Sequence, residues 1–282
     1  MPTLTLDYRH CRRMLPLYIN HSKVEGISGL ARQQLVDSSA DAISLSVLRG
    51  VNSIKINGIR FDLWVDTDHA VTDEQGNGVL GVCEFDPAAS ADAAVLSVTP
   101  VSDKASAELV LSTFAHELGH AIFEAPGWIF EAAQGAGLFD DPQTTGHKAY
   151  RTETRDSEHL AKPLSQPARA NKTAGNTELD RSIHFAELRA NEFMGSLLVP
   201  RQGLLKAVEE LADQHGVTIN RNPSVDPDFP GIGMHLSVQG ILGHIRMESL
   251  QKVLATRFGV TPKFIRVRMD RYGLLKPGAK NH

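Results

Sequence analysis

Apolar residues recur at steps of three and four between Ala107 and Ile122, where Ala107, Leu111, Phe114, Leu118 and Ile122 form one stripe. That spacing predicts a helix turned towards a core. Ser102 or Asp103 can cap its start and Pro126-Gly127 can stop it. Ahead of it, Ile27, Leu30, Leu35, Ile43 and Leu48 fall at roughly helical intervals and predict one long or two short helices closing at Gly50. Three strands are predicted between them. Residues 59–65 alternate apolar and polar, 79–85 follow a turn-rich segment at 73–78, and 93–98 end ahead of Pro100.

Further along, Phe185, Leu188, Phe193 (with Met194) and Leu197 give residues 183–200 one apolar side. Pro200 can end that helix and start a second at 201–215. Residues 220–235 are rich in Pro and Gly and predict irregular chain. Helices at 247–258 and 262–272, around a turn at 259–261, close the sequence, and no internal repeat is visible. The stretch 140–182 differs in character, with almost no large apolar residue beyond Tyr150, Leu160 and Leu164. Such a segment buries too little surface to order itself strongly. Its two readings are a mobile insertion and a flap over a cleft.

Composition narrows the class without naming a function. With 282 residues, 41% hydrophobic and 22% charged, the chain fits one large or two small soluble domains. Only 6% is aromatic, so the core is expected to be aliphatic. The formal charge of −4 argues against nucleic-acid binding by the whole chain. Residues 246–282, however, hold nine Lys/Arg against two Asp/Glu, a net of +7, which leaves −11 for the remainder. Cys11 and Cys83 are too few for a disulfide scaffold and are not spaced as a zinc site. No signal peptide and no membrane span is recognisable, so a cytoplasmic protein is expected.

The chemistry lies in His116-Glu117-Leu118-Gly119-His120. Residues four apart share a helix face, so His116 and His120 can aim two imidazoles at one metal ion. Glu117 lies about 100° round the helix from His116, close enough to reach a water on the ion without being a ligand. Zinc suits two neutral imidazoles and one carboxylate, with the fourth position left to water. The ion lowers the pKa of that water and the glutamate takes its proton. The third ligand must come from elsewhere, and the helix around 184–198 offers Glu187 and Glu192.

Three ordered segments carry a family resemblance. Thr113-Phe-Ala-His-Glu-Leu-Gly-His120 and Glu187-Leu-Arg-Ala-Asn-Glu-Phe-Met-Gly-Ser-Leu-Leu-Val-Pro200 resemble the paired motifs of the ImmA/IrrE metallopeptidases. The segment from Leu254 to Leu275 is similar to that family's C-terminal helical pair. The likeness covers roughly 79–135 and 183–275 and does not reach the first fifty or so residues. It implies an α+β, zincin-like fold with a small twisted sheet, the metal helix and a helical C-terminal half. The expected organisation is a peptidase domain at 1–240 and a basic pair at 241–282, which Leu254-Ala255, Gly259-Val260 in the turn and Ile265 make helix-turn-helix-like in pattern; in the resembled family that segment is mainly structural. Glu187 takes the third-ligand role because it opens the Glu-x-x-Ala-Asn stretch, with Glu192 as runner-up. Asn191 could orient a ligand by a hydrogen bond, and His184 could donate to a substrate oxyanion. The 67 residues from His120 to Glu187 exceed the family's usual connection, and the polar stretch at 140–182 accounts for them.

Two further expectations concern control. Cys83, on a strand that borders the cleft in zincins, could occupy the fourth zinc position as an inhibitory thiolate. Arg257, Lys263, Arg266, Arg268 and Arg271 could face phosphates, with DNA or single-stranded DNA as an activator. By resemblance, the reaction is zinc-dependent cleavage of a helix-turn-helix repressor, which would derepress stress, prophage or antiphage-defence genes. The alternative from another class is a non-catalytic DNA- or protein-binding regulator with a structural zinc. A complete Glu117 argues against it, because a structural site has no use for a general base.

Overall fold

A computed structural model describes residues 3–73, 76–135, 147–151, 178–224 and 226–275. The protein is mixed α+β. Its packing divides it into two units, Met1–Leu197 and Leu198–His282.

The first unit is built from β1 (Leu4–Leu6), α1 (His21–Leu35), α2 (Leu45–Arg49), β2 (Ser53–Ile56), β3 (Ile59–Asp66), β4 (Val71–Thr72), β5 (Gly78–Val79), β6 (Gly81–Phe85) and β7 (Ala93–Val98). These are followed by α3 (Ala107–Phe123), α4 (Ala125–Gly135), β8 (His147–Arg151) and α5 (Glu178–Leu198). Six strands form one mixed sheet in the order β1-β2-β3-β7-β6-β8. The β1–β2 and β3–β7 pairs are parallel and the others antiparallel. The alternation expected at 59–65 holds: Phe61 and Leu63 are buried, while Arg60, Asp62 and Trp64 face water. The segment expected as one strand at 79–85 is interrupted at Leu80, giving β5 in a separate two-stranded ribbon and β6 in the main sheet.

Strand β2 was not anticipated, although its turn is written in the sequence. Asn57 and Gly58 carry φ of 51° and 89°, the left-handed pair that a two-residue hairpin requires. The helical region ahead of Gly50 is two helices of 15 and 5 residues, capped by Asn20 and Ser44. Helix α3 starts later than expected: Ser106, not Ser102 or Asp103, accepts the Leu109 N–H at 3.3 Å. Pro126 ends α3 but does not end the helical path. It sits in the first turn of α4, where a missing N–H costs nothing.

Helix α3 departs from the simple amphipathic picture. Every residue from Val110 to Phe123 is buried, so the helix is enclosed rather than one-sided. Strands β6 and β7 lie along one of its sides. Helix α1 joins α5 through Arg32, which donates to the Leu197 carbonyl at 2.6 Å, and through Ser28, whose hydroxyl donates to the Phe193 carbonyl.

The second unit holds α6 (Arg201–Leu211), a 3₁₀ turn (Asp213–His215), β9 (Thr218–Pro223), β10 (Ile232–Ser237), α7 (Gly243–Phe258) and α8 (Pro262–Arg271). The region expected to be irregular at 220–235 is largely an antiparallel hairpin. Its strands are short and mostly half-exposed, so no apolar alternation announced them. By packing, the division falls at 197/198, with α6 and α7 in contact within the second unit. The turn at 259–261 forms as expected: Gly259 is left-handed at φ 68°, and Thr261 caps α8 with Pro262 in its first turn. The flap expected at 140–182 lies outside the described residues, apart from β8 and the start of α5. Among the described residues no helix is long and apolar enough to cross a membrane.

The basic positions of α7 and α8 separate into distinct environments. Lys263 and Arg266 are exposed, Arg271 is half-buried, and Arg257 pairs with Glu210 at 2.5 Å. Arg268 is a correction to the sequence reading. It is buried, donates to the Tyr272 hydroxyl, and lies over the Tyr272 ring at 4.5 Å. Tyr272 in turn donates to the Val199 carbonyl at 3.2 Å. A guanidinium engaged in this way is a core anchor and does not meet phosphates. Arg268→Ala should therefore destabilise the protein by roughly 2 kcal/mol, through loss of a buried charged hydrogen bond and a cation–π contact. Lys263→Ala and Arg266→Ala should stay within about 0.5 kcal/mol of wild type. Denaturant unfolding of the three variants measures the difference, and an Arg268→Ala protein as stable as the other two would contradict the anchor role.

Candidate metal centre

Two glycine-enforced contacts and one helix crossing build the site. At Gly119, an added Cβ would lie 2.9 Å from the Ala190 Cα and 3.3 Å from its Cβ and carbonyl oxygen. Helices α3 and α5 therefore meet backbone to backbone at this point, which only glycine against a small residue permits. The crossing brings residues 187–191 of α5 beside the motif on α3.

At that crossing, His116 Nε2 and His120 Nε2 are 3.1 Å apart. The two carboxylate oxygens of Glu187 each lie 3.3 Å from one of these nitrogens. His116, His120 and Glu187 form a group that could hold a metal ion, with all ligand atoms within 4.8 Å of one another. Tetrahedral zinc with bonds near 2.0–2.1 Å requires ligand atoms about 3.3 Å apart; the Nε2–Nε2 separation of 3.1 Å lies close to that edge length, while the Glu187 carboxylate straddles the pair with one oxygen towards each ring. Both imidazoles are almost fully buried, whereas the Glu187 side chain keeps 31% exposure. The cluster is thus reachable on the Glu187 side.

The far nitrogen of each ring is also occupied. His116 Nδ1–H donates to Asn191 Oδ1 at 3.0 Å, the orienting contact expected for Asn191. His120 Nδ1–H donates to Glu124 Oε2 at 3.0 Å, and Glu124 Oε1 accepts from Arg189 Nη2 at 2.7 Å. A proton fixed on each Nδ1 leaves each Nε2 lone pair for the shared centre, which is the tautomer a metal needs. Sequence reasoning missed Glu124 and Arg189. Glu124 stands one helical turn after His120, a spacing that could have found it; nothing in the sequence marked Arg189.

Glu117 is fully buried on the same helix, beside β6. A Cβ at Gly81 of β6 would come within 3.0 Å of Glu117 Cγ and 2.6 Å of Thr113 Cγ2. Gly81 therefore leaves the room that the Glu117 side chain fills.

Other expected residues lie elsewhere. Glu192 turns away from the ligands and is buried against α1, with Oε2 3.3 Å from His21 Nδ1 and Oε1 accepting from the Ser196 hydroxyl at 3.1 Å. His184 stands outside the ligand group, with its ring 5.8 Å from that of Phe185. Cys83 is also outside the group, which corrects the inhibitory-ligand expectation. Strand alternation turns it to the same side as Gly81, underneath α3, where it is fully buried. Burial, with Glu117, Glu124 and Glu84 nearby, pushes the thiol well above its ordinary pKa, so it stays protonated at neutral pH in the metal-free protein.

The electrostatics make metal uptake pH-dependent. Burial alone would lower the pKa of His120, but hydrogen bonds to Glu124 and Glu187 outweigh it and raise the pKa to about 10. The Glu187 carboxyl, despite burial, is held far below the usual range by His116 and His120. Without metal, His120 is then protonated and Glu187 ionised at neutral pH. A metal ion must expel the His120 proton, so apparent affinity should rise with pH, about tenfold per unit up to about 10. Calorimetry in buffers of different ionisation enthalpy should show about one proton released per ion at pH 7; a release near zero would contradict this coupling.

The crossing itself is testable. Gly119→Ala should push α5 away, destabilise the fold by about 1–3 kcal/mol as an overpacked contact, and weaken the binding of any divalent ion at the cluster. A Gly119→Ala protein with wild-type metal affinity would show that the close approach does not set the geometry of the cluster.

Comparison with known proteins adds no relative: no family model, no curated protein and no solved structure matches the chain.

Proposed function

We propose that this chain is a zinc-dependent metallo-endopeptidase with a zincin-like fold. The observation that carries the reading is the convergence of both motif Nε2 atoms and the Glu187 carboxylate, with each Nδ1 already engaged. Two imidazoles and one carboxylate, with an exposed side, are the donor set of hydrolytic zinc. The ion, when bound, supplies Lewis-acid polarisation of a carbonyl and a lowered pKa for water. The rest of the chemistry is assigned to the chain: in this reading Glu117, next to His116 on the same helix and seated against Gly81, would accept the proton of the attacking water and return it to the leaving amine. Asn191 and Glu124 hold the ligand rings in their working tautomer.

The substrate follows from the resemblance to the ImmA/IrrE metallopeptidases: a helix-turn-helix repressor, cleaved in the cytoplasm to release stress, prophage or antiphage-defence genes. The exposed cations Lys263 and Arg266 keep DNA or single-stranded DNA in this reading as an activating partner.

Two variants separate chemistry from binding. Glu117→Gln should keep its zinc and its fold but lose cleavage by about 10²–10⁴-fold, since an amide cannot take the proton of water. Gly81→Ala should likewise keep zinc while slowing cleavage, because the new methyl displaces the Glu117 side chain. Zinc content by elemental analysis and cleavage of a purified repressor encoded by the neighbouring gene give the two readouts. Undiminished cleavage by Glu117→Gln would sink the proposed mechanism.

A further inference from the structure

We infer that Glu124 and Arg189 are a positioning pair that sets His120 as a metal ligand. This rests on the metal-site reading above and adds a second layer to it. Glu124 closes on His120 twice. As the C-cap of α3 its backbone N–H donates to the His120 carbonyl at 2.8 Å, and its side chain folds back to accept from His120 Nδ1 at 3.0 Å. The other carboxylate oxygen accepts from Arg189 at 2.7 Å, so both oxygens have fixed partners.

An exposed His–Glu pair one turn apart would be an ordinary helix contact of little weight. This one is buried: side-chain exposure is 0% for His120, 8% for Glu124 and 17% for Arg189. Burying a carboxylate is costly unless it is paired and hydrogen-bonded, and here the pairing comes from the helix that also carries Glu187. Arg189 balances the charge of Glu124, so no net negative charge is added beside the ligands. The two rings are also held differently, His116 by the neutral amide of Asn191 and His120 by a carboxylate. A carboxylate partner makes an imidazole a stronger donor, so His120 is the more tightly tuned ligand. Because Arg189 lies between Glu187 and Ala190, the same bridge ties the end of α3 to α5 beside the third ligand.

The test compares full-length wild type with Glu124→Ala, Glu124→Gln, Arg189→Met and the Glu124→Gln/Arg189→Met double variant. Zinc affinity is read by chelator competition, the ligand field by the visible spectrum of the cobalt-substituted protein, and the fold by circular dichroism. Glu124→Ala should weaken zinc binding about 10–100-fold and shift the cobalt bands. Glu124→Gln should lose less, because its amide oxygen still accepts the Nδ1 proton. Arg189→Met should weaken binding in the wild-type background and add no further loss to Glu124→Gln, since it acts through Glu124. Unchanged affinity and an unchanged cobalt spectrum in folded Glu124→Ala would overturn the inference, as would an additive loss in the double variant. Should Glu124→Ala fail to fold, an unchanged affinity and spectrum in Glu124→Gln overturns it instead. A wild-type protein that takes up no zinc removes the metal-site reading and the inference together, whereas a zinc-loaded wild type beside an unaffected Glu124→Ala removes the inference alone.

Discussion

The close approach of α3 and α5 at Gly119 and Ala190 is the constraint on which the site depends. Helices normally pack with axes 8–10 Å apart, the distance being set by the side chains at the contact. With glycine on one helix and alanine on the other, the backbones come near enough for side chains of α5 to reach partners on α3 directly. Glu187, Arg189 and Asn191 each reach α3 directly, at His116 and His120, at Glu124 and at His116 respectively. A larger residue at 119 would separate the helices, and all of these contacts would lengthen together. The motif glycine is therefore a geometric requirement for Glu187, 68 residues away in sequence, to join the two histidines.

The crossing also concentrates charge where the protein is least able to solvate it. Glu117, Glu124 and Glu192 are buried within one helical layer, and Glu187 adds a fourth carboxylate. Each has to be neutralised, hydrogen-bonded or balanced by a cation to be tolerated. Arg189 balances Glu124 and His21 lies against Glu192. Glu187 faces two imidazoles, one of which holds its proton up to about pH 10. A divalent ion held there would replace that proton with a larger charge at the same place. Metal uptake would then be an exchange of one cation for another, which couples it to pH.

Much of this was legible in the sequence where periodicity or residue chemistry speaks directly. The apolar spacing gave α3 and α5, the alternation gave β3, and Gly259 with Thr261-Pro262 gave the α7–α8 turn. The spacing of His116 and His120 brought two residues of the cluster together, whereas the sequence alone left Glu187 and Glu192 both open as the third. The misses have physical causes. The β9–β10 hairpin is half-exposed and carries no strong pattern. Arg268 counted as surface charge because one sequence does not reveal that Tyr272, four residues on, folds against it. Cys83 was drawn to the metal by its nearness to the motif helix, but strand alternation points it beneath that helix into the core. Gly81 gave no signal, since the reason for a glycine there lies on another element.

The arrangement around α3 follows from helical angles. With about 100° per residue, taking His116 as zero places His120 near 40° and Glu117 near 100°, with Gly119 about 60° on the other side of His116. The α5 contact, the two ligands and the proposed base then follow one another round roughly half of the helix. Gly119 meets α5, Glu117 meets β6 at Gly81, and the imidazoles occupy the arc between. The cluster is therefore held in the groove between a sheet strand and a helix, with each boundary set by a glycine. The two glycines have separate effects: position 119 controls whether the third ligand arrives, and position 81 controls where the carboxylate beside the cluster can stand. The residues that could hold a metal and the proposed base thus occupy neighbouring arcs of one helix turn, and the two glycines that bound them are open to separate perturbation.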